Sequence, residues 1–166
     1  MALDRSVNAP YTEADAITKT VYYMGTDEVK VGEPFVYTVA AGTATDPSGL
    51  RHNQVDRPKA SGGIFAGVAT RNYPASDPGL GRLIEIACPG SKGVKIRTAA
   101  AVTTGDVLVF AYKASTGSKL FKAPGDTIAL TALSIGCAVA RQTTSAAGLA
   151  QADLAVAPYN AGASES

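Results

Sequence analysis

Glycine and proline recur along this chain between short apolar stretches, and the chain reads as a series of short strands punctuated by turns, although the alanine content of residues 128–141 would also permit a helix. Pro presets one turn dihedral and Gly admits positive φ, so each such site ends one element and starts another. Between them the apolar residues alternate with polar ones. Residues 82–88 place Ile84, Ile86 and Cys88 on one face and Glu85 on the other, while Val94 and Ile96 alternate with Lys95 and Arg97. A period of two is the mark of half-buried strands. The spacing therefore predicts an all-β fold.

The strands can be placed one by one. Pro89-Gly90-Ser91-Lys92-Gly93 separates the first two as an antiparallel hairpin turn would. Residues 107–112 are apolar on both faces and predict a central strand covered on both sides. A short run follows at 119–122, ended by Pro124-Gly125-Asp126. In 128–141 the alternation of Ile135, Cys137 and Val139 favours a strand over the second half. Asp153 to Ala157 forms the last strand, stopped by Pro158. Upstream, Phe35, Tyr37 and Val39 share a face.

The organisation read from this pattern is an N-terminal arm (1–28), a β-rich body (29–158) and a polar tail (159–166). Residues 41–61 gather Gly, Asp, Pro, Ser, Asn and Arg with few apolar anchors and predict a long exposed loop within the body. Residues 29–37 can be laid over 102–110, each a Gly-acid turn launching an apolar strand, at Gly32-Glu33 and Gly105-Asp106. Turn chemistry alone accounts for that echo, because Gly permits the turn and the acid accepts a backbone N–H within it. No internal duplication is inferred from it.

Composition narrows the partners. The chain has 166 residues, a formal net charge of +1 and 17% charged residues, so it carries no basic field with which to neutralise a row of phosphates or an anionic membrane. Neither nucleic acid nor membrane is an expected partner. Met1 to Pro10 holds Asp4 and Arg5 where a secretory leader needs an apolar run, which predicts synthesis in the cytoplasm. Cys88 and Cys137, both in apolar runs, are read as core residues and not as a disulfide.

Chemistry is sparse. His52 is the only histidine and sits in the polar loop, so no metal ligand set is apparent and no cofactor is expected. Glu33, Asp106 and Asp126 each follow a turn glycine, with nothing to pair them across a cleft. Gly79-Leu80-Gly81-Arg82 lacks the third glycine of a dinucleotide fingerprint, and Gly90-Ser91-Lys92-Gly93 lacks the spacing of a phosphate loop. No catalytic residue is assigned, and an enzyme is not expected. Binding residues are sought in the arm, where Tyr11, Tyr22, Tyr23 and Met24 are of the types that anchor interfaces. The alternative is that residues 21–23 form a first edge strand.

The run Gly62-Gly63-Ile64-Phe65-Ala66-Gly67-Val68-Ala69, then residues 94–98, then 100–106, then Ile135-Gly136-Cys137-Ala138 and Leu154-Ala155-Val156, resembles the tailed-phage capsid decoration or cement proteins. That family is similar in role to the phage lambda head decoration protein. The resemblance covers roughly the last two thirds of the chain, and it rests on Gly, Asp and apolar spacing. It implies a small β-barrel or β-tulip body and no enzymatic activity. It also implies a homotrimer on the outer surface of an expanded icosahedral head, where it clamps and stabilises major capsid protein subunits. The alternative is a virion-surface module that binds a receptor or glycan.

Overall fold

The computed structural model describes residues 15–39, 50–58, 64–77, 81–111, 119–122 and 135–160, and in these it is all strand. Ten strands follow in order: β1 (Thr18–Tyr23), β2 (Pro34–Val39), β3 (Leu50–Asp56), β4 (Phe65–Ala69), β5 (Arg82–Ala87), β6 (Val94–Thr98), β7 (Val107–Ala111), β8 (Lys119–Lys122), β9 (Ile135–Ala140) and β10 (Gly148–Asn160). They close into two five-stranded barrels in succession, β1-β3-β2-β4-β5 and β6-β8-β7-β9-β10. Closure removes the unpaired sheet edges that an open five-stranded sheet would expose.

The alternation seen in the sequence becomes an inside and an outside. Barrel one encloses Val21, Tyr23, Val29, Phe35, Val55, Ala66, Ala69, Ile84 and Ile86. Barrel two encloses Ile96, Val102, Leu108 and a set of alanines, Ala138, Ala140, Ala150 and Ala152. A barrel of so few strands has an interior that side chains fill, by rings and branched chains in barrel one and by smaller groups in barrel two. Each fully buried Ile or Leu contributes roughly 1.5–3 kcal/mol. The cores are joined, since Val68 and Ala87 on the outside of barrel one belong to the apolar cluster of barrel two.

The two barrels share not only topology but register. Across β2 and β4, Pro34 pairs with Val68 and Phe35 with Gly67; across β7 and β9, Val107 pairs with Val139 and Leu108 with Ala138. Val68 with Ala87 and Ala69 with Ile86 become Val139 with Asp153 and Ala140 with Ala152. Tyr37 with Val55 becomes Phe110 with Leu120, and Tyr23 with Val55 becomes Thr98 with Leu120. Tyr23 with Arg82 becomes Thr98 with Gly148.

The backbone bonds of the Gly-acid turns repeat, although the Asp106 carboxylate accepts Thr103 N–H within its turn and that of Glu33 bonds Arg57 instead. Gly32 N–H donates to Ala69 O and Gly105 N–H to Ala140 O, each at 2.8 Å; Ala69 N–H returns to Glu33 O and Ala140 N–H to Asp106 O. The bridges Val29–Tyr73 and Val102–Thr144 also correspond. Turn chemistry explains a local likeness, but not matching residue pairs in all five strand pairings, bulges in β2–β3 and β2–β4 apart. The echo between 29–37 and 102–110 is the visible part of a tandem structural repeat, which corrects its reading as turn chemistry alone.

Other expectations change with it. The body is two barrels, not one. Residues 18–23, read as arm, are β1, which closes barrel one by pairing with β5 and runs parallel to β3. Residues 50–56, read as loop, are β3; with Val55 buried amid the polar Asn53, Gln54 and Asp56, it left a weak apolar signal. The stretch 88–93 is no hairpin, because β5 and β6 belong to different barrels and never pair. It is instead a clamped linker. Ser91, fully buried, accepts Ile17 N–H at 3.0 Å on its Oγ and donates to Cys88 O at 2.7 Å. Lys92 exchanges backbone hydrogen bonds with Asp15, and Gly90 and Ser91 bond to Leu154. Strand β10 continues through Pro158, with its register shifting between Leu154 and Tyr159. An irregular site of that kind tolerates a missing N–H.

Candidate binding surface

The aromatic group proposed as interface anchors is divided by the barrel wall. Tyr11 lies outside the described residues. Tyr23 points inward and is 1% exposed, with its ring edge-on to Phe35 at 5.3 Å, so it is a core residue and no contact. Its neighbour Tyr22 points outward beside Leu83, its partner on β5, and its ring lies against Gly81 with no room for a side chain between them. Met24, just past the strand, is half exposed.

Around Tyr23 the end of barrel one is closed by charge. Arg57 and Arg82 approach the ring with guanidinium carbons 5.8 and 5.6 Å from its centre. Arg57 bonds Glu33 at 3.1 Å, Asp27 at 3.0 Å and the Glu28 carbonyl. Arg82 donates to the carbonyls of Thr26 and Asp27. Burial works against the charge of Arg57, but Glu33, Tyr23 and Asp27 outweigh it and hold its pKa above the ordinary value. Burial also pushes the Tyr23 hydroxyl up. The cluster ties the segment between β1 and β2 to the barrel rim. Spacing along the chain could not have shown it, since its members come from three separate segments.

A groove of about 320 Å³ runs between the barrels, lined by Val31, Val68, Thr70, Lys95 and Gln151 among others. Among the described residues no three His, Cys, Asp or Glu side chains gather where a metal could be held. Both cysteines are free thiols; Cys137 is buried, whereas Cys88 is only partly so, packed against the core of barrel one. Burial raises the Cys88 pKa, with a smaller opposing effect from Lys19. His52 falls in β3, and its side chain is outside the described set.

What the molecule offers to a partner is its outer wall. Leu83 is 66% exposed and Leu149 43%, and Ile17, Ile64 and Met24 are exposed by about half or slightly more. The folding pattern could have revealed Leu83, which breaks the alternation by placing an apolar side chain on the polar face of β5.

These features define a tandem double-barrel protein with no helix among its described residues. No known protein family matches the chain, and no curated protein matches it in sequence. Among solved structures it is similar to the crystal structure of the head fiber gp8.5 N base of bacteriophage phi29, with a TM-score of 0.51. The match covers 87% of this chain and 98% of that one at 8% sequence identity, so what the two share is the fold.

Proposed function

We propose that this chain is a structural protein of a phage head, bound to the outside of an expanded icosahedral capsid. There it bridges major capsid protein subunits, as a homotrimer and without enzymatic activity. The observation that carries the reading is the double-barrel likeness, which takes in nearly the whole of a phage head fiber base. The resemblance of the body to capsid decoration proteins supports it independently of that comparison. A module that binds the assembled lattice and not free subunits stabilises the assembled state by mass action, and many copies multiply the effect.

Purified protein mixed with expanded, undecorated heads is expected to bind to saturation and to raise the temperature at which the heads rupture. Absence of the protein from purified heads of its own phage would sink the reading. The similarity to the base of a head fiber favours a second reading, in which the double barrel is the foot of a projection that recognises a receptor or glycan. Binding of the isolated chain to host cells, without binding to heads, selects that alternative.

A further inference from the structure

The register shared by the barrels makes positions on their outer walls equivalent. Where β1 and β5 close barrel one, the outward pairs are Thr20 with Glu85 and Tyr22 with Leu83. Where β6 and β10 close barrel two, the matching pairs are Lys95 with Gln151 and Arg97 with Leu149. Their neighbours Val21, Ile84, Ile96 and Ala150 are in the cores, so these side chains face away from them, Lys95 and Gln151 on the side that borders the groove between the barrels.

Leucine is thus the residue the two stripes have in common, exposed in both. A closed barrel needs no leucine on its outer wall to fold, and the two sites face solvent in the chain on its own. The flanks differ in the opposite sense. Barrel one sets an aromatic ring and an acid beside its leucine, and Thr70 Oγ1 orients Glu85 by a 2.8 Å hydrogen bond. Barrel two sets two cations beside its own; Lys95 is exposed, and the buried Arg97 Nε has no hydrogen-bond partner.

We propose that the barrel-one stripe of one molecule docks on the barrel-two stripe of a second copy of this chain. Leu83 then meets Leu149, the Tyr22 ring covers the Arg97 guanidinium, and Glu85 faces Lys95. Charge complementarity selects the second copy as occupant, since every chain carries both halves of the match. Unlike stripes make a heterologous contact, which builds a closed ring or a chain of copies. The inference deepens the homotrimer of the proposed function by naming its surface, but it needs no capsid, so either idea can fail alone.

The test is sedimentation and light scattering of the full chain in the absence of heads. The wild type is expected to assemble beyond a monomer. Leu83→Asp and Leu149→Asp are each expected to weaken assembly by roughly tenfold or more with the far-ultraviolet dichroism unchanged. Glu85→Lys and Lys95→Glu are each expected to weaken it, and their combination to restore it, which keeps the test sound if a leucine variant fails to fold. A wild type that stays monomeric overturns the proposal, as does a charge swap that restores nothing. If Leu149→Asp assembles normally but no longer binds expanded heads, the capsid is the occupant and the inference is wrong.

Discussion

The carbonyl oxygen of Gly32, in the turn before β2, accepts the backbone N–H of Arg97 on β6 at 2.9 Å. The turn of one barrel thereby completes the hydrogen bonding of a strand in the other. The contact is close: a Cβ on Gly32 would stand 2.6 Å from Arg97 N and from Ile96 C. The equivalent turn of barrel two, at Gly105, has open space around the same position.

That contrast separates local strain from packing. Gly32 and Gly105 have φ of +80° and +93°, so alanine at either costs about 1–2 kcal/mol through the backbone alone. Gly32→Ala must also displace the backbone of β6. It is expected to lower the stability measured by urea unfolding by clearly more than Gly105→Ala does, and equal losses would contradict the close contact.

Val68 and Ala87 of barrel one pack in the apolar cluster of barrel two, and Ser91 clamps the linker. The barrels are therefore expected to unfold in one transition, with dichroism and tyrosine fluorescence coinciding. Ser91→Ala leaves the partly buried Ile17 N–H without its partner and takes the hydroxyl from Cys88 O, which keeps only the backbone N–H of Ser91, and an expected loss of about 1–3 kcal/mol follows. Two separated transitions in the wild type would show that the shared cluster does not couple the barrels.

Glu33 and Asp27 both bond Arg57, but the Glu33 side chain is 10% exposed and that of Asp27 75%. Removing the buried partner leaves a largely buried guanidinium with only the exposed Asp27 as counter-charge, so Glu33→Ala is expected to cost about 3 kcal/mol, at the low end for a broken buried pair. Asp27→Ala is expected to cost less than about 1 kcal/mol, as at other exposed ion pairs. Chemical unfolding of the two variants side by side decides between burial and simple proximity.

Alkaline pH reads the interior of barrel one. Burial raises the pKa values of Tyr23 and Tyr37 above their ordinary value of 10.0, and that of Cys88 above 9.0. Above those ordinary values the unfolded groups lose their protons while the folded ones keep them. The native state then binds more protons, so stability falls as pH rises. The loss is expected to begin near pH 9 and steepen past 10, and Tyr23→Phe is expected to flatten it. An unchanged alkaline limb in Tyr23→Phe would show that Tyr23 titrates as it does in the unfolded chain.

Deleting residues 1–24 removes β1 and with it the partner of both β5 and β3. Loss of the cooperative unfolding transition is expected. A truncated chain that still unfolds cooperatively would mean that the first barrel does not need its closing strand.

The alternation of Ile84 with Ile86 and of Val94 with Ile96 was enough to make these segments strands, because a period of two leaves one apolar face whatever the fold around it. Gly32 and Gly105 likewise marked the turns that precede β2 and β7, through dihedral limits that act within a few residues. The strand β3 was not legible because Val55, which turns into the core, stands among the polar Asn53, Gln54 and Asp56. Tyr22 and Tyr23 looked alike as candidate anchors, yet adjacent residues of a strand face opposite ways, and only closure of the barrel decided which was inside.

The sequence by itself determined that this protein is all-β, where most of its strands lie, and that the Gly-acid turns at Gly32 and Gly105 are alike. These are consequences of local sterics and apolar periodicity. Only the tertiary structure decided that ten strands close as two barrels in one register, that Arg57, Glu33 and Tyr23 meet, and that Leu83 and Leu149 are equivalent. Such relationships depend on pairings between residues far apart in the chain, and neither spacing nor composition records which strand will be a neighbour.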